Sequence, residues 1–213
     1  MKSKIMKGKA LFIAIDGVDG SGKGTQVKKL VGYIFDRDKS NHPLMTREPF
    51  RSKYMAKIRQ ILKDGKDPKK LGHLLTRLFV ADRRVHAWVI KKLLELGIHV
   101  ISDRYKYSTL AYQQAQGMDL KKLIRMHKGI LVPDLVIILD IPVVAALKRI
   151  AADIQSGNRH KEVFEQKAFQ EQLRKNFLAL PRQLPKERIV IVNGNQTVDK
   201  VFEAIKKEAN KVL

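Results

Sequence analysis

An apolar segment that runs directly into a glycine-rich loop is the most constraining feature of this chain: residues Phe12–Gln26 read FIAIDGVDGSGKGTQ. Gly17, Gly20 and Gly22 let the backbone turn tightly and direct successive N–H groups at one point. A helix is predicted to begin near Lys23, so its positive dipole end faces that point and the lysine adds a mobile charge. The chain is therefore predicted to bind the phosphates of a nucleoside triphosphate.

The loop fits the pattern G-x4-G-K from Gly17 to Lys23, but it departs from the usual pattern at the next position. A Ser or Thr hydroxyl normally follows the lysine and binds Mg²⁺, whereas this chain has Gly24, with Thr25 one residue later. An ordinary strand-to-helix turn is the alternative interpretation. The glycines, the lysine and the preceding apolar strand together favour the phosphate site.

Length and cysteine content limit the classes of protein. With 213 residues, the chain can form one α/β domain with a substantial core. Cys is absent, which excludes disulfides and thiolate metal sites. No apolar run reaches the ~20 residues of a membrane span. The basic and then apolar N-terminus continues into the phosphate loop, which favours a first strand over an export signal. We expect a cytoplasmic enzyme without a membrane partner.

The chain is strongly basic, since 43 Lys and Arg against 21 Asp and Glu give a formal net charge of +22. Solvated surface lysines are one interpretation of this charge, and nucleic-acid binding is the other. The basic residues are spread along the whole chain with few aromatic residues between them, which favours the first. Nonspecific polyanion binding at low salt is still expected.

Apolar segments alternate with helical patterns from end to end, which predicts βαβ units and a parallel sheet. The predicted strands are 10–16, 43–46, 99–102, 135–140 and 188–192, and their continuous apolar character suits strands covered on both faces. The predicted helices are 23–36, 52–63, 68–96, 107–127, 142–152, 162–179 and 197–212. We expect a single domain, residues 1–213, with helices on both faces of a five-stranded parallel sheet. A polar segment at about 152–163 is expected to form a lid.

Charged residues follow the ends of the predicted strands, where ligands bind in open α/β sheets. Arg47 follows the second strand, and Asp103 and Arg104 follow the third. An arginine fork can bind two oxygens of one phosphate, which a lysine cannot. A surface ion pair is the usual explanation for a single arginine. Two arginines at one rim, beside a phosphate loop, favour a site for a second anionic phosphate.

Four stretches carry a resemblance to a known family: FIAIDGVDGSGKGTQ (12–26), TREP (46–49), LFVADRRVH (78–86) and SDRYKYSTLAYQ (102–113). A fifth, PDLVIILDIPVVAALKR (133–149), is similar to the family's region around strand four. On these motifs the chain resembles the thymidylate kinases, within the P-loop nucleoside monophosphate kinase group, from about residue 10 to the C-terminus. The resemblance implies a P-loop NTPase-like three-layer α/β/α fold, transfer of the γ-phosphoryl group of ATP to dTMP, Mg²⁺ as cofactor and a homodimer.

For the phosphoryl donor, the resemblance implies that Lys23 and the loop amides hold the phosphates of ATP. Asp19 is implied to face the acceptor's 3′-hydroxyl and the metal. Stabilisation of the loop turn is the alternative interpretation, and the two are compatible. Asp103 is implied to lie near Mg²⁺. Glu165 either joins the metal and sugar region or is a helix N-terminal acid favoured by the dipole. The implied ATP-binding residues are Gly17, Asp19, Gly20, Ser21, Gly22, Lys23, Gly24 and Thr25.

For the acceptor, the resemblance implies that Phe79 stacks on the thymine ring and that Arg83 reaches the base or the phosphate. Arg104 is implied to clamp the acceptor phosphate, with Arg47 nearby. Tyr112 is implied to press against the 2′ position of the sugar, where a ribose hydroxyl would collide. From spacing alone, Phe79 is instead ordinary helix core and Tyr112 packs on the sheet.

The edge of the thymine base is expected to meet Ser108 and Thr109, where relatives place Asn or Ser. A hydroxyl can donate or accept, so Thr109 suits the base edge, and Gln113 is a further candidate. The implied substrate-binding residues are Asp19, Arg47, Phe79, Arg83, Arg104, Ser108, Thr109, Tyr112 and Gln113.

Charge stabilisation of the transferring phosphoryl group is expected from the lid. Relatives with an arginine directly after the loop aspartate use it for this purpose, but this chain has Gly20 there. Arg159 is the first candidate and Arg149 the second, with a solvated loop arginine as the alternative for each. The expected catalytic residues are Lys23, Arg104, Asp19 and Arg159, and the expected metal-site residues are Asp19, Asp103 and Glu165.

Other functions stay open at this point. One is a kinase for another nucleoside monophosphate, and another is a nucleic-acid-associated P-loop protein, suggested only by the net charge. A catalytically silent relative is a third, because Ala151, Ala152 and Asp153 interrupt the arginine pattern of the lid.

Overall fold

A computed structural model of the chain describes residues 9–64, 68–157 and 166–213. The strands are Phe12–Gly17 (β1), Leu44–Arg47 (β2), Val100–Asp103 (β3), Leu135–Asp140 (β4) and Ile189–Asn193 (β5). The helices are Lys23–Arg37 (α1), Met55–Asp64 (α2), Pro68–Glu95 (α3), Lys106–Ala115 (α4), Leu120–Met126 (α5), Val143–Gln155 (α6), Lys167–Gln183 (α7) and Val198–Ala209 (α8). None of the helices in these ranges combines the length and apolar character needed to cross a bilayer.

The strands form one parallel sheet in the order β2-β3-β1-β4-β5, with helices on both faces. Alternate side chains of β1 enter separate cores. Phe12 and Ala14 pack with α3, α4 and α7, whereas Ile13 and Ile15 pack with α1 and α8. The predicted three-layer α/β/α fold with a five-stranded parallel sheet is confirmed. The carboxyl ends of β1 and β3, which are paired at the sheet centre, therefore present their following loops side by side.

The expectation that every strand is covered on both faces is wrong for the two edge strands. The central strands β1 and β3 are buried throughout, and β4 is buried up to Asp140. Leu44 and Met45 of β2 are exposed, and β5 is only partly covered. The continuous apolar pattern predicted burial correctly only where a strand has neighbours on both sides.

The predicted helix 107–127 is two helices, α4 and α5, because the sequence between them carries both a stop and a start signal. Gly117 has φ of +90°, and the Met118 and Gly117 N–H groups donate to the carbonyls of Gln113 and Gln114 at 2.9 Å. This is the geometry of a glycine-terminated helix. Asp119 then caps α5 by accepting from the Lys122 N–H at 2.8 Å.

The region after β4 differs from prediction in two ways. The predicted helix 162–179 corresponds to α7, which continues through Pro181 to Gln183, while residues 162–165 lie outside the described ranges. Of the predicted lid, 152–155 are the last turn of α6. Residues 158–163, including Arg159, lie outside the described ranges.

Candidate active site

The phosphate loop joins β1 to α1 and depends on glycine where another chain segment approaches it. Gly17 has φ of +139°, and a Cβ there would lie 2.5 Å from the Leu139 carbonyl oxygen of β4. Only glycine fits such a position. Gly22, with φ of +91°, is the N-cap of α1, so the helix begins at Lys23 as predicted.

Lys23 is buried and folds back onto its own loop. Its Nζ donates to the carbonyl oxygens of Val18 at 2.8 Å and Gly17 at 3.1 Å, and lies 4.0 Å from an Asp19 carboxylate oxygen. Burial, together with the positive charge of Arg104, lowers the pKa of Lys23 to about 8. The Lys23 ammonium group is therefore bound by neutral carbonyl oxygens, which the charged oxygens of a phosphate can replace.

Gly20 explains why this loop carries no arginine after its aspartate. A Cβ at Gly20 would lie 2.7 Å from the carbonyl oxygen of Ala146 in α6, and φ is +74°. Helix α6 thus occupies the space that a side chain would need. Arg149, one turn farther along α6, donates from Nη1 to the Gly20 carbonyl at 3.1 Å, so the second lid candidate reaches the loop from outside.

The end of β3 brings a second arginine to the loop. Arg104 has a positive φ of 73°, uncommon for a residue with a Cβ, and its guanidinium forms an ion pair with Asp19. Its Nη1 donates to the Ser108 hydroxyl at 3.2 Å, and the Tyr112 hydroxyl donates to Asp19 at 3.1 Å. Although burial opposes its charge, the neighbouring Asp19 carboxylate raises the pKa of Arg104. The Asp19 carboxylate thus lies beside two cations, Lys23 and Arg104.

Asp16 is a positioning residue: the sequence places it at the rim of the sheet, at the end of the first strand, but indicates no role for it. At the end of β1, its carboxylate accepts from the N–H groups of Tyr105 at 3.0 Å and Ser108 at 3.2 Å, and from the Ser108 hydroxyl at 2.5 Å. Burial raises the pKa of this carboxyl. An acid from a neighbouring strand therefore caps α4, the helix that carries Ser108 and Tyr112.

One cleft beside the phosphate loop brings together all nine residues that the resemblance implied for the acceptor. Phe79 on α3 and Tyr112 on α4 form apolar walls, and Arg47 and Arg104 stand at the strand ends. The lining residues are Asp19, Arg47, Glu48, Pro49, Leu62, Phe79, Arg83, Arg104, Ser108, Thr109, Tyr112 and Gln113.

A buried charge network at the far wall of this cleft was not foreseen. Glu48 accepts from Arg83 Nε at 2.8 Å and Nη2 at 2.5 Å through one carboxylate oxygen. Its other oxygen lies 3.0 Å from His86 Nδ1, and His86 Nε2 lies 2.8 Å from the Thr46 hydroxyl. Asp82, beside them on α3, accepts from the Phe50 N–H at 2.7 Å. The stretches 46–49 and 78–86 are therefore one physical unit, and their co-occurrence in the sequence was the available signal.

Arg83 lines the cleft, but its hydrogen bonds are used within the protein. It donates to Glu48, to the Tyr105 carbonyl at 3.2 Å, to Thr109 Oγ1 at 3.0 Å and to His127 Nε2 at 2.8 Å. These contacts account for all five guanidinium N–H groups. The expected contact of Arg83 with the base or the phosphate of an acceptor stays a prediction.

The residues present fit a magnesium ion that arrives with its nucleotide. Within the described ranges, no three acidic or histidine side chains gather into a metal-binding group. The buried Asp103 Oδ1 has no hydrogen-bond partner there, and a Cβ added at Gly24 would lie 3.6 Å from Asp103 Oδ2. Mg²⁺ at nucleotide sites usually has one or two carboxylates, with phosphates and waters completing the shell. Glu165, the other predicted acid, lies outside the described ranges.

Comparison with known proteins agrees with this geometry. The family model described as thymidylate kinase matches residues 15–205. The chain belongs to the thymidylate kinase family. A probable thymidylate kinase of Thermococcus onnurineus is 40% identical over 188 residues, which cover 84% of this chain and 88% of the relative. A thymidylate kinase of Maridesulfovibrio salexigens is 36% identical, over 92% of this chain and 93% of the relative.

A probable thymidylate kinase of Thermococcus gammatolerans has the same extent of coverage, at 36% identity over 203 residues. The predicted family, and with it the class of nucleotide-binding phosphotransferase, is confirmed. The roles of individual residues stay predictions, although one cleft brings the acceptor candidates of this chain together.

Proposed function

We propose that this protein transfers the γ-phosphoryl group of ATP to dTMP, giving dTDP and ADP. The observation that carries the proposal is that the cleft opens beside the phosphate loop, with Asp19 and Arg104 at the boundary. A nucleoside monophosphate in the cleft would have its phosphate next to the loop that binds the donor. Residues 1–213 act as one domain, in which 152–163 serve as the lid.

Phosphoryl transfer requires positioning and charge neutralisation more than covalent help from the protein. An oxygen of the dTMP phosphate attacks the γ-phosphorus, and the bond from that phosphorus to the bridging oxygen of ADP breaks. Lys23 and the loop amides hold the donor phosphates. Arg104 leaves Asp19 to clamp the acceptor phosphate, with the largely exposed Arg47 beside it. Arg159, outside the described ranges, or Arg149 adds positive charge from the lid.

Mg²⁺ accompanies ATP, and when bound it neutralises charge on the donor phosphates. Asp103 would hold it directly or through water, because its buried Oδ1 has no partner in the described part of the chain. Asp19 and Glu165 are the further candidates. Gly24 offers no hydroxyl, so the phosphates and waters supply the remaining ligands.

The base end of the cleft suits thymine. Phe79 is half-buried and lines the cleft, where its ring can stack on a base. Gln113 is fully buried; its Nε2 donates to Gln116 Oε1 at 2.6 Å, and its Oε1 has no partner among the described residues. We assign Gln113 Oε1 as acceptor of the thymine N3–H, and Thr109 and Ser108 line the same wall.

Tyr112 favours a deoxyribose acceptor. Its ring lies between Phe169 and Phe177 at centroid distances of 6.2 and 6.4 Å, and its hydroxyl is held by Asp19. A ring fixed on three sides cannot move aside for a 2′-hydroxyl. The proposed exclusion is therefore steric.

A homodimer is supported by an apolar stripe on α3. Leu74, Ala81, Val85 and Trp88 share one side of the helix, and Trp88 is 62% exposed. A stripe of this kind suits a second copy of the same helix. Light scattering should give twice the chain mass, and Trp88→Glu should halve it. The cytoplasmic location stays a prediction, and the net charge of +22 supports weak, salt-sensitive polyanion binding.

The test is ADP release with ATP and Mg²⁺, with dTMP, dUMP, dCMP, dGMP, AMP and UMP offered in parallel. We expect the highest kcat/KM with dTMP. Preference for another monophosphate would overturn the base-end assignments while leaving the phosphate loop. Turnover that does not depend on any acceptor would reject the kinase itself.

A further inference from the structure

The exposed basic residues of α3 and α5 belong to one surface, because the two helices lie side by side. Just before α5 begins, Met118 Sδ lies 2.9 Å from the Thr76 hydroxyl oxygen of α3. At the end of α5, the Met126 carbonyl accepts from Arg84 Nη2 of α3 at 3.4 Å. The helices therefore run in the same direction, and their outer sides face solvent next to each other.

Cations recur along the outer side of each helix at helical spacing. Residues seven apart on a helix share one side and lie about 10 Å apart. Three exposed cations of α3 follow this interval, and three in or directly after α5 are spaced by four and three residues. We call these six residues the cation patch; they are Arg77, Arg84 and Lys91, with Lys121, Arg125 and Lys128.

The cation patch lacks the acids that neutralise basic residues elsewhere. Within the described ranges, none of its six members forms an ion pair. The exposed acids of α3 and of α5 with its cap are Glu95, which pairs with Lys92 at 2.8 Å, and Asp119, which caps α5. On the other face of the sheet, α1 and α8 carry several ion pairs at 2.6–2.9 Å. They join Lys29 to Asp199, Lys206 to Glu203 and Lys211 to Glu208.

A regular row of phosphates is the partner that this surface fits. Arginine forks match phosphate oxygens, and lysines add point charges. A membrane would need apolar side chains that insert, but Leu123, with Leu120 and Ile124, packs into the core. Single strands are bound by stacking on exposed rings. The exposed ring on these two helices is Trp88, which belongs to the stripe proposed for the dimer.

We propose that the cation patch is a docking surface for the sugar–phosphate backbone of duplex DNA, bound without sequence preference. It gives a location to the polyanion binding that the net charge supports. It does not depend on phosphoryl transfer, because none of its six residues lines the acceptor cleft. If all six contact phosphates, the logarithm of the association constant should fall with the logarithm of salt concentration at a slope of about −5.

Two triple variants with the same change in net charge separate the patch from the overall charge. One carries Arg84→Glu, Arg125→Glu and Lys128→Glu. The matched control carries Lys28→Glu, Lys200→Glu and Lys207→Glu on α1 and α8, all exposed and without an ion pair in the described part of the chain. Fluorescence anisotropy with a labelled duplex of about 20 base pairs, between about 50 and 300 mM KCl, measures binding of the full chain.

The patch variant should bind duplex about 10²-fold more weakly near 100 mM salt, and its salt slope should be smaller by about three. The control should stay within about threefold of wild type, because charges more than about 10 Å away are screened at that salt concentration. Turnover of ATP with dTMP and the mass by light scattering should be unchanged in both variants. If the glutamates disturb folding, the corresponding glutamine triples give the same comparison.

Equal losses in the patch and control variants would overturn the proposal, because net charge alone would then explain binding. Failure of wild type to bind duplex would also overturn it. Tighter binding to vesicles containing phosphatidylserine than to duplex would contradict the assigned partner. Wild type that binds duplex but does not phosphorylate dTMP would instead reject the proposed function and leave this inference standing.

Discussion

The two ends of the cleft differ in how their charged side chains are paired. At the phosphate end, which comprises Asp19, Lys23 and Arg104, the cations rest on a shared carboxylate and on loop carbonyls. The base end is formed by Glu48, Arg83, His86, Thr109 and His127. There Glu48 bonds Arg83 and His86, and Arg83 also bonds Thr109 and His127. The phosphate end is therefore arranged to exchange its contacts for a ligand's, while the base end is arranged to keep them.

The difference follows from what each end must bind. A bound phosphate supplies negative charge, so the cations at that end need a protein carboxylate only while the site is empty. Until then, Asp19 offsets the free-energy cost of burying Lys23 and Arg104. A nucleobase is neutral and is distinguished by the direction of its hydrogen bonds, which requires donors and acceptors that do not reorient. Substitutions at the base end should thus mainly affect stability and selection, and those at the phosphate end should mainly affect rate.

The largest effect is expected at the base end for Glu48→Ala. It leaves the buried Arg83 guanidinium without its carboxylate, which should cost about 3–5 kcal/mol of unfolding free energy. Urea unfolding followed by circular dichroism measures this change. Arg47→Ala, one residue earlier and 71% exposed at its side chain, is the control and should cost less than about 1 kcal/mol. Similar losses in both variants would remove the distinction between the two ends.

At the phosphate end, Arg104→Ala should lower kcat by about 10²–10³-fold, by analogy with the loss of one transition-state donor. The fold should persist, because Asp19 keeps its bond from Tyr112. Steady-state kinetics and a melting curve check both statements. Arg104→Lys keeps the charge without the fork and should recover only part of the rate. Near-normal turnover in the alanine variant would refute the acceptor clamp.

The close approach of α6 to the loop can be tested with two glycines. Gly20→Ala meets both a positive φ and the Ala146 carbonyl, whereas Gly22→Ala meets a positive φ with nothing within 4 Å. Gly20→Ala should therefore be the less stable variant, by about 1–3 kcal/mol, since the added methyl is overpacked. Denaturant unfolding of the pair gives the comparison. Equal stabilities would mean that α6 does not exclude a loop side chain.

Binding of ATP should weaken at alkaline pH because of Lys23. Its pKa of about 8 means that the empty site holds a cation below that pH and a neutral amine above it. Since the triphosphate favours the protonated form, binding above pH 8 takes up a proton, and Kd should rise by up to about tenfold per pH unit. Below pH 8, Kd should be flat with respect to this group. Calorimetry between pH 7 and 9.5 measures the profile, with Lys23→Met as the variant that should lack it.

The smallest effect is expected for Tyr112→Phe. It removes one hydroxyl bond to Asp19, worth about 0.5–1.5 kcal/mol, and keeps the ring that excludes a ribose hydroxyl. Turnover with dTMP should fall a few-fold, and the ratio of dUMP to UMP kinetics should be unchanged. Tyr112→Ala should reduce that ratio. If the phenylalanine variant alone admitted UMP, discrimination would lie in the hydroxyl and not in the ring.

The phosphate end was largely predictable from the sequence, because its signals are local. The glycines and lysine of 12–26 are close together in the chain. Strand β1 overlaps the predicted 10–16, and α1 begins at Lys23 as predicted. Arg47 and Arg104 could be assigned to the same rim because parallel strands end at one edge of a sheet.

The base end could not be derived in the same way, because its partners come from distant parts of the chain. Glu48, Arg83 and His127 are separated by 35 and 44 positions, and no periodicity links them. The resemblance implied that Arg83 contacts the base or the phosphate, but the bonds that occupy all its donors are visible only in the structure. The break after α4 was missed because the helical pattern continues across Gly117, although that glycine and Asp119 were the available signals.

The most direct test of the contrast between the two ends is a crystal structure of the enzyme with dTMP bound. We predict that the Arg104 guanidinium leaves Asp19 for the dTMP phosphate, while Arg83 Nη1 stays about 2.8 Å from His127 Nε2. The account is contradicted if Arg104 keeps its ion pair with Asp19, or if Arg83 leaves Glu48 and His127 to bind the nucleotide.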